Sequence, residues 1–319
     1  MGRVPAVPTA PIRFEDVKKS RTETVDSGGR RLIQEPGRTI IKQDNRLIIH
    51  KNETTNIQRF YPGARTIPIR GGISQTVYTR QDGVRVVTEV DGAGRMVRRY
   101  GQAPGGRQIV YIDNRRFYRN IGIGIGIAAV GVGVALALSS PVVAMPRERY
   151  IVEYDRASDE DLYDVLVSPP IERLERAYSL EEIRYSRPLR ERMRRIDLDT
   201  ITFETGSFEV TQDQYAKLER MARAMGRAIE KNPAEVFLIE GHTDTVGTPE
   251  DNLSLSDRRA EAIARILTEH FSIPLENLVT QGYGEQDLKV PTDGPERANR
   301  RVAVRRITPM LSQEGAEAR

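Results

Sequence analysis

Cysteine is absent from the 319 residues, which removes disulfide frameworks, thiolate nucleophiles and Cys-ligated zinc from consideration. Redox chemistry therefore says nothing about compartment. Histidine is nearly as scarce, and His50, His242 and His270 share no ligand spacing, so neither a metal site nor a cofactor is expected. No Ser-His-Asp order or pair of catalytic carboxylates stands out, and Glu240, two residues before His242 on one strand face, is not enough to make a hydrolase. A non-enzymatic protein is expected. The opening stretch MGRVPAVPTAPIRFEDVKK lacks the apolar core of a cleavable export signal, and Ala6 stands where myristoylation needs Ser or Thr.

What is present is charge, unevenly spread. The net charge is only +4, with a mean hydropathy of -0.50, yet residues 1–119 hold 23 Lys and Arg against 11 Asp and Glu, and the rest of the chain is net acidic. The two parts are expected to face different surroundings. A basic region of this kind attracts anionic lipid, lipopolysaccharide or, as the least expected partner, nucleic acid; a solvated Arg-rich surface is the plainer reading. Residues 1–37, rich in Pro, Gly and charge without periodicity, read as a disordered arm. Residues 38–119 carry short β-prone runs around Asp-Asn or Asp-Gly, in RTIIKQDNRLIIHK, TVYTRQDGVRVVTEVDGAGRMVRRY and RQIVYIDNRRFYR, which predicts three hairpins with apolar faces too thin to stand without a partner.

Residues 120–146, NIGIGIGIAAVGVGVALALSSPVVAMP, form the one long stretch without an ionisable side chain. Residues 121–138 would rise about 27 Å as a helix, close to the hydrocarbon thickness of a bilayer, so a membrane span is one reading. Gly122 with Gly126 and Gly133 with Ala137 have the small-residue spacing that lets helices approach closely. The Ile-Gly alternation has period two, and a buried glycine-rich strand is the other reading. Flanking arginines slightly favour a cytoplasmic N-terminal side. Residues 147–195 read as a helical connector, with Ser158 and Ser179 as N-caps ahead of acidic first turns.

From residue 196 strands and helices alternate: IDLDTITFETGS, a helix over 211–231, EVFLIEGHT, a helix over 252–271, LVTQGYGE and RRVAVRRI. The pattern predicts an α+β domain with a βαβα(β)β order, a four-stranded sheet with helices on one face, burying Phe203, Leu218, Met221, Met225, Ile229, Phe237 and Ile239. Residues 309–319 remain as a tail. Two charges stand out. Asp244 lies just past a strand end, before a loop shaped by Gly247 and Pro249, and Arg259 falls four residues after Leu255 and four before Ile263, on or beside the inward stripe of its helix. A guanidinium there must find an anion or water. An internal Asp244–Arg259 salt bridge and a ligand seat are both compatible with the pattern.

The run IEGHTDTVGTPEDNLSLSDRRAEAI, followed by GYGE and NRRV, resembles the peptidoglycan-binding domain at the C-terminus of outer membrane protein A, shared with flagellar motor protein B and peptidoglycan-associated lipoprotein. The resemblance covers residues 196–308. It implies that Asp244 receives the ammonium of diaminopimelate in the peptidoglycan stem peptide and that Arg259 grips its carboxylate. A zwitterionic end needs one anion and one cation a few Å apart, and Arg suits a carboxylate through two parallel hydrogen bonds. Thr243 and Asn252 match neighbouring polar positions, Asn252 reading equally as an N-cap; Leu255 is expected beneath the ligand and Arg301 as a brace. Gly282, Tyr283 and Gly284 read as a turn. The implied setting is a Gram-negative envelope membrane, the outer one by resemblance or the inner one by the hydrophobic segment, with the C-terminal domain in the periplasm. Peptidoglycan is the expected partner, the membrane is met through residues 121–138, and a homo-oligomer or other envelope proteins complete the expected assembly. A stator role is disfavoured, since a proton-conducting span needs an ionisable group.

Overall fold

The computed structural model describes residues 13–43, 46–92, 94–120, 140–141, 145–204 and 206–311. The segment 121–138 lies outside them, and among the described residues no helix is long and apolar enough to cross a membrane.

Helix α1 (Phe14–Lys19) leads into an antiparallel meander of β1 (Thr22–Val25), β2 (Arg31–Glu35), β3 (Arg38–Gln43) and β4 (Arg46–Lys51). The expected disordered arm is thus corrected from Arg13 onward. Its apolar residues were too sparse to signal strands, but Ile33 joins Ile40 and Ile49 in a buried cluster that closes on Leu253 in the C-terminal part. Helix α2 (Glu53–Phe60), capped by the Asn52 side chain, connects to a second meander. This comprises β5 (Arg65–Pro68), β6 (Ser74–Thr79), β7 (Arg85–Val90), β8 (Met96–Gln102) and β9 (Gln108–Asp113). Two of the three expected hairpin regions form. The third does not: Asp113 accepts the Arg115 amide, and the chain enters helix α3 (Arg115–Asn120) instead of returning as a strand.

The third sheet has the order β10 (Ile151–Glu153), β11 (Arg195–Asp197), β14 (Val302–Arg306), β12 (Phe237–Gly241), β13 (Leu278–Gly282). β14 runs antiparallel to both its neighbours, while β10 is parallel to β11 and β12 to β13. Five strands replace the expected four because the connector, after the short α4 (Arg147–Tyr150), supplies β10. The connector also supplies α5 (Asp159–Val167) and α6 (Leu180–Tyr185), closed at their starts by reciprocal caps on Ser158 and Ser179, and α7 (Arg187–Arg190).

On one face of this sheet, α5, α8 (Glu219–Lys231) and α9 (Pro249–Glu269) enclose a core containing Leu218, Met221, Met225, Phe237, Ile239, Ile263 and Leu267, with Phe203 and Ile229 at its margin. The opposite face is also covered, which corrects the expectation of helices on one face alone. Val236, Leu238 and Val279 pack there against Leu180, Ile183 and Leu189 of the connector and against Met96, Tyr111 and Ile112 of the second meander. A sheet buried on both sides accounts for apolar residues on both faces of β12, Phe237 and Ile239 on one and Leu238 on the other. The expected long strand at 196–207 is cut to β11, and the expected helix over 211–231 begins with a 3-10 stretch, Gln212–Leu218. Met310 and Leu311, at the start of the expected tail, are buried, with Leu311 bridging to Tyr178.

Candidate functional site

Past the end of β12, backbone pairing continues for two residues: the His242 amide donates to the Arg301 carbonyl and the Thr243 amide to the Gly284 carbonyl, each at 2.9 Å. This fixes Asp244 at the C-terminal edge of the sheet, where clefts of α/β architectures open. The next residues turn sharply, with Gly247 at a φ of 106°, a conformation that disfavours any side chain. Thr248 accepts the Asp251 amide as the N-cap of α9. That corrects the N-cap reading of Asn252, which is buried one turn inside the helix. Its side-chain amide donates to the Asp244 carbonyl at 3.3 Å and to Glu285 at 2.7 Å, so it braces the loop that carries Asp244.

The two charges converge without pairing. Arg259 is buried, and its Nε donates to the Ser207 carbonyl at 3.0 Å and its Nη2 to the Glu204 carbonyl at 3.5 Å, with the guanidinium over the Phe203 ring. Burial, then the neighbouring Arg300, pushes its pKa down to about 10, while Asp244 pulls in the other direction. Asp244 is thus within electrostatic reach of Arg259, but the internal salt bridge left open by the sequence is not formed. Asp244 instead accepts Arg300 Nη1 at 2.6 Å, together with longer bonds from the Glu296 and Val246 amides at 3.3 Å. Arg300 went unnoticed in the sequence although it is the first arginine of N-R-R-V. The missed signal is that one of two adjacent arginines after a strand-end loop must leave the sheet.

The remaining expected residues divide. Thr243 is buried, and its hydroxyl has no hydrogen-bond partner among the described residues. Leu255 is half-buried, unlike Ile263 and Leu267, which are core. Arg301 is buried and donates to the Asp287 carbonyl at 3.0 Å, with Asp197 at 3.9 Å, so its contacts lie away from Asp244. Burial and the adjacent Arg195 push its pKa down to about 10. His242 stacks on buried Tyr283, and burial among Arg301, Arg195, Arg190 and Arg305 holds its pKa well below the usual histidine range. Gly282 ends β13 and is not part of a turn; Gly284, at φ 53°, makes the turn.

A model of the OmpA family matches residues 202–301, the stretch containing Asp244, Arg259 and Arg300. Residues 202–301 are thus the OmpA-like part of the chain. Outer membrane porin F of Pseudomonas aeruginosa is 33% identical over 91 residues, 28% of this chain and 25% of that protein. Peptidoglycan-associated lipoprotein of Agrobacterium fabrum is 34% identical over 88 residues, 28% of this chain and 47% of that protein. The chain therefore spans about a quarter to a half of the length of these curated relatives. The crystal structure of peptidoglycan-associated lipoprotein from Burkholderia pseudomallei is 26% identical, covering 33% of this chain and 87% of that one, at a TM-score of 0.28.

Outside the OmpA domain, the basic N-terminal residues turn towards it. Arg38 and Lys51 meet Asp257 at 3.3 and 2.9 Å, Arg38 also meets Glu261 at 2.5 Å, and Lys42 meets Glu250 at 2.7 Å. Arg21 pairs with Asp251. In the reverse direction, Glu35 of β2 accepts Ser254 and Arg258 of α9 at 2.6 and 2.8 Å. Arg38 and Lys51, flanking Glu261, lower its pKa to about 2 against the cost of burial. Part of the charge asymmetry of the sequence is thus internal, which corrects the expectation that the two parts face wholly different surroundings. The acidic face of α9 is the surroundings of the basic meander.

Proposed function

We propose that residues 196–308 bind peptidoglycan non-covalently, taking the zwitterionic end of diaminopimelate between Asp244 and Arg259. The observation that carries this reading is the convergence of an anion from a strand end and a cation from a helix wall, within electrostatic reach yet unpaired with each other. The match of residues 202–301 to the OmpA family supports wall binding in general, as do the peptidoglycan-associated lipoproteins among the relatives. Thr243 and Asn252 would line and brace the seat, with Gly247 shaping the loop, Leu255 flooring it and Arg301 holding the strand behind. The activity is binding, with no catalytic residue assigned.

The setting that fits is the periplasm of a Gram-negative cell, with the chain tethered to an envelope membrane through residues 121–138. The alternative, in which the basic N-terminal region binds anionic lipid, lipopolysaccharide or nucleic acid, has less free charge to work with than the sequence suggests. Arg21, Arg38, Lys42 and Lys51 are committed to carboxylates of α9.

Pull-down of the full chain on purified sacculi tests the reading. Asp244→Ala and Arg259→Ala are each expected to lower retention at least about tenfold, because truncating one partner of a desolvated charge contact costs about 2 kcal/mol or more. Unchanged retention in both variants removes the site assignment. Release of soluble muropeptides from the sacculi would replace binding by hydrolysis.

A further inference from the structure

Both charges of the seat are already engaged by the chain itself. Asp244 holds the guanidinium of Arg300, and Arg259 holds the carbonyl oxygens of Ser207 and Glu204. The two engagements differ in kind. The Arg259 contacts are made by a buried side chain to backbone. The Arg300 side chain is 42% exposed while that of Asp244 is 7% exposed, so the arginine lies over the carboxylate on the solvent side. The base of its loop is anchored: the Asn299 side chain accepts the Lys289 and Val290 amides at 2.8 and 2.9 Å and donates to the Val290 carbonyl. Gly294 donates to the Thr245 hydroxyl at 2.7 Å. The backbone beneath Arg300 is therefore held, and its side chain is the element free to swing.

From the charge geometry we infer that Arg300 is a selectivity latch of this site, occupying the ammonium position on Asp244 until a ligand brings its own carboxylate to Arg259. The inference rests on the wall-binding reading given above. Without ligand the charges acting on Arg259 are one carboxylate, Asp244, and a second guanidinium, Arg300, which repels it. A ligand carrying only an ammonium must displace Arg300 and leaves that excess of positive charge uncompensated. A ligand carrying an ammonium and a carboxylate on one carbon displaces Arg300 and at the same time supplies the missing anion. Ion pairs with an exposed partner are weak, so the latch opens at little cost for the right ligand. Specificity of this kind is built by occupying the site against the wrong ligand as much as by contacts to the right one.

The test uses the full chain with two soluble probes, meso-diaminopimelate and cadaverine, which keeps both amines and lacks both carboxylates, titrated calorimetrically. The unsubstituted chain is expected to bind meso-diaminopimelate and to bind cadaverine at least about tenfold more weakly. Arg300→Ala is expected to strengthen cadaverine binding about fivefold and to narrow the ratio between the probes, while Arg300→Lys, which keeps the charge, holds the ratio near that of the unsubstituted chain. An Arg300→Ala chain with both affinities unchanged, or both reduced, overturns the latch. The underlying site reading fails separately, when Asp244→Ala leaves binding of meso-diaminopimelate intact or when no form of the chain binds it.

Discussion

Gly241 and Gly282 bring the ends of β12 and β13 directly against the backbone of α9. A Cβ at Gly241 would run into the Ser256 carbonyl oxygen, and one at Gly282 would come 2.6 Å from the Cβ of Asp257. The Gly282 amide also donates to Asp257 Oδ1 at 2.8 Å, and the Gly284 amide to the Ser256 hydroxyl at 2.9 Å. This contact lies less than one helical turn before Arg259, so it sets the distance between Arg259 and the strand end that carries Asp244. Backbone has no rotamer with which to yield. Gly241→Ala and Gly282→Ala are each expected to cost about 3 kcal/mol, read from the midpoint of urea unfolding, and to weaken sacculus binding in the folded fraction. A loss well below about 1 kcal/mol would mean that the helix is not held at this separation.

Helix α9 has a different task on each side. One face carries Ile263 and Leu267 into the core and Arg259 into the site; the other carries Glu250, Asp257, Arg258 and Glu261 to β2, β3 and β4, and Asp251 to Arg21 ahead of β1. Buried ion pairs add little over an apolar contact, but removing one partner leaves the other charge stranded. Arg38→Ala should therefore cost about 3 kcal/mol, the lower end for a broken buried pair, since Asp257 keeps Lys51 at 2.9 Å and Glu261 keeps Arg59 at 3.8 Å. Because Arg38 and Asp257 are almost fully shielded, raising salt to 1 M should leave this difference nearly unchanged, whereas an exposed pair such as Arg31–Glu23 should be screened. Thermal unfolding of the variant at two salt concentrations checks both statements. The N-terminal cap is a smaller matter: Thr248→Ala should cost about 1 kcal/mol.

At the scale of the molecule, the described residues interlock around the third sheet, since both meanders close onto elements of the C-terminal part through Leu253, Leu275 and Val279. A fragment of residues 147–319 uncovers those side chains and strands Asp257 and Glu261. It should bind a hydrophobic dye and melt at least about 10 °C below the full chain; equal melting temperatures would mean that the meanders dock without contributing stability. The junction also titrates. Burial pushes Glu181 up to about 7, against the pull of Arg184 and Arg95, and burial beside Arg184 and Arg95 pushes His50 down to about 4. A raised carboxyl contributes stability that is complete below about pH 4.5 and lost as pH rises through 7. The lowered His50 contributes stability that is present above about pH 6.5 and lost as pH falls through 4. Glu181→Gln should flatten the decline in melting temperature between pH 4.5 and 7, an effect of at most about 3 kcal/mol. An unchanged profile would mean that Glu181 is solvated or paired.

Local pattern marked Asp244 and Arg259 as charges in need of a partner without choosing between a salt bridge and a ligand seat, and it was enough to read the alternation of strands and helices after residue 196, the caps on Ser158 and Ser179, the two turn-bearing hairpin regions and the core positions of α8. Each depends on near neighbours: side-chain period, cap chemistry and turn preference act within a few residues, so the amino-acid order alone decides them. The partner of Asp244 could not be read this way, because Arg300 lies 56 residues further along and one of two adjacent arginines had to be chosen by the path of β14. Nor could the destination of the basic N-terminal residues, whose carboxylates lie about 200 residues away on α9. Charge attracts through space, and only the packing of two meanders against one helix brings those atoms within the few Å at which Coulomb energy selects a partner.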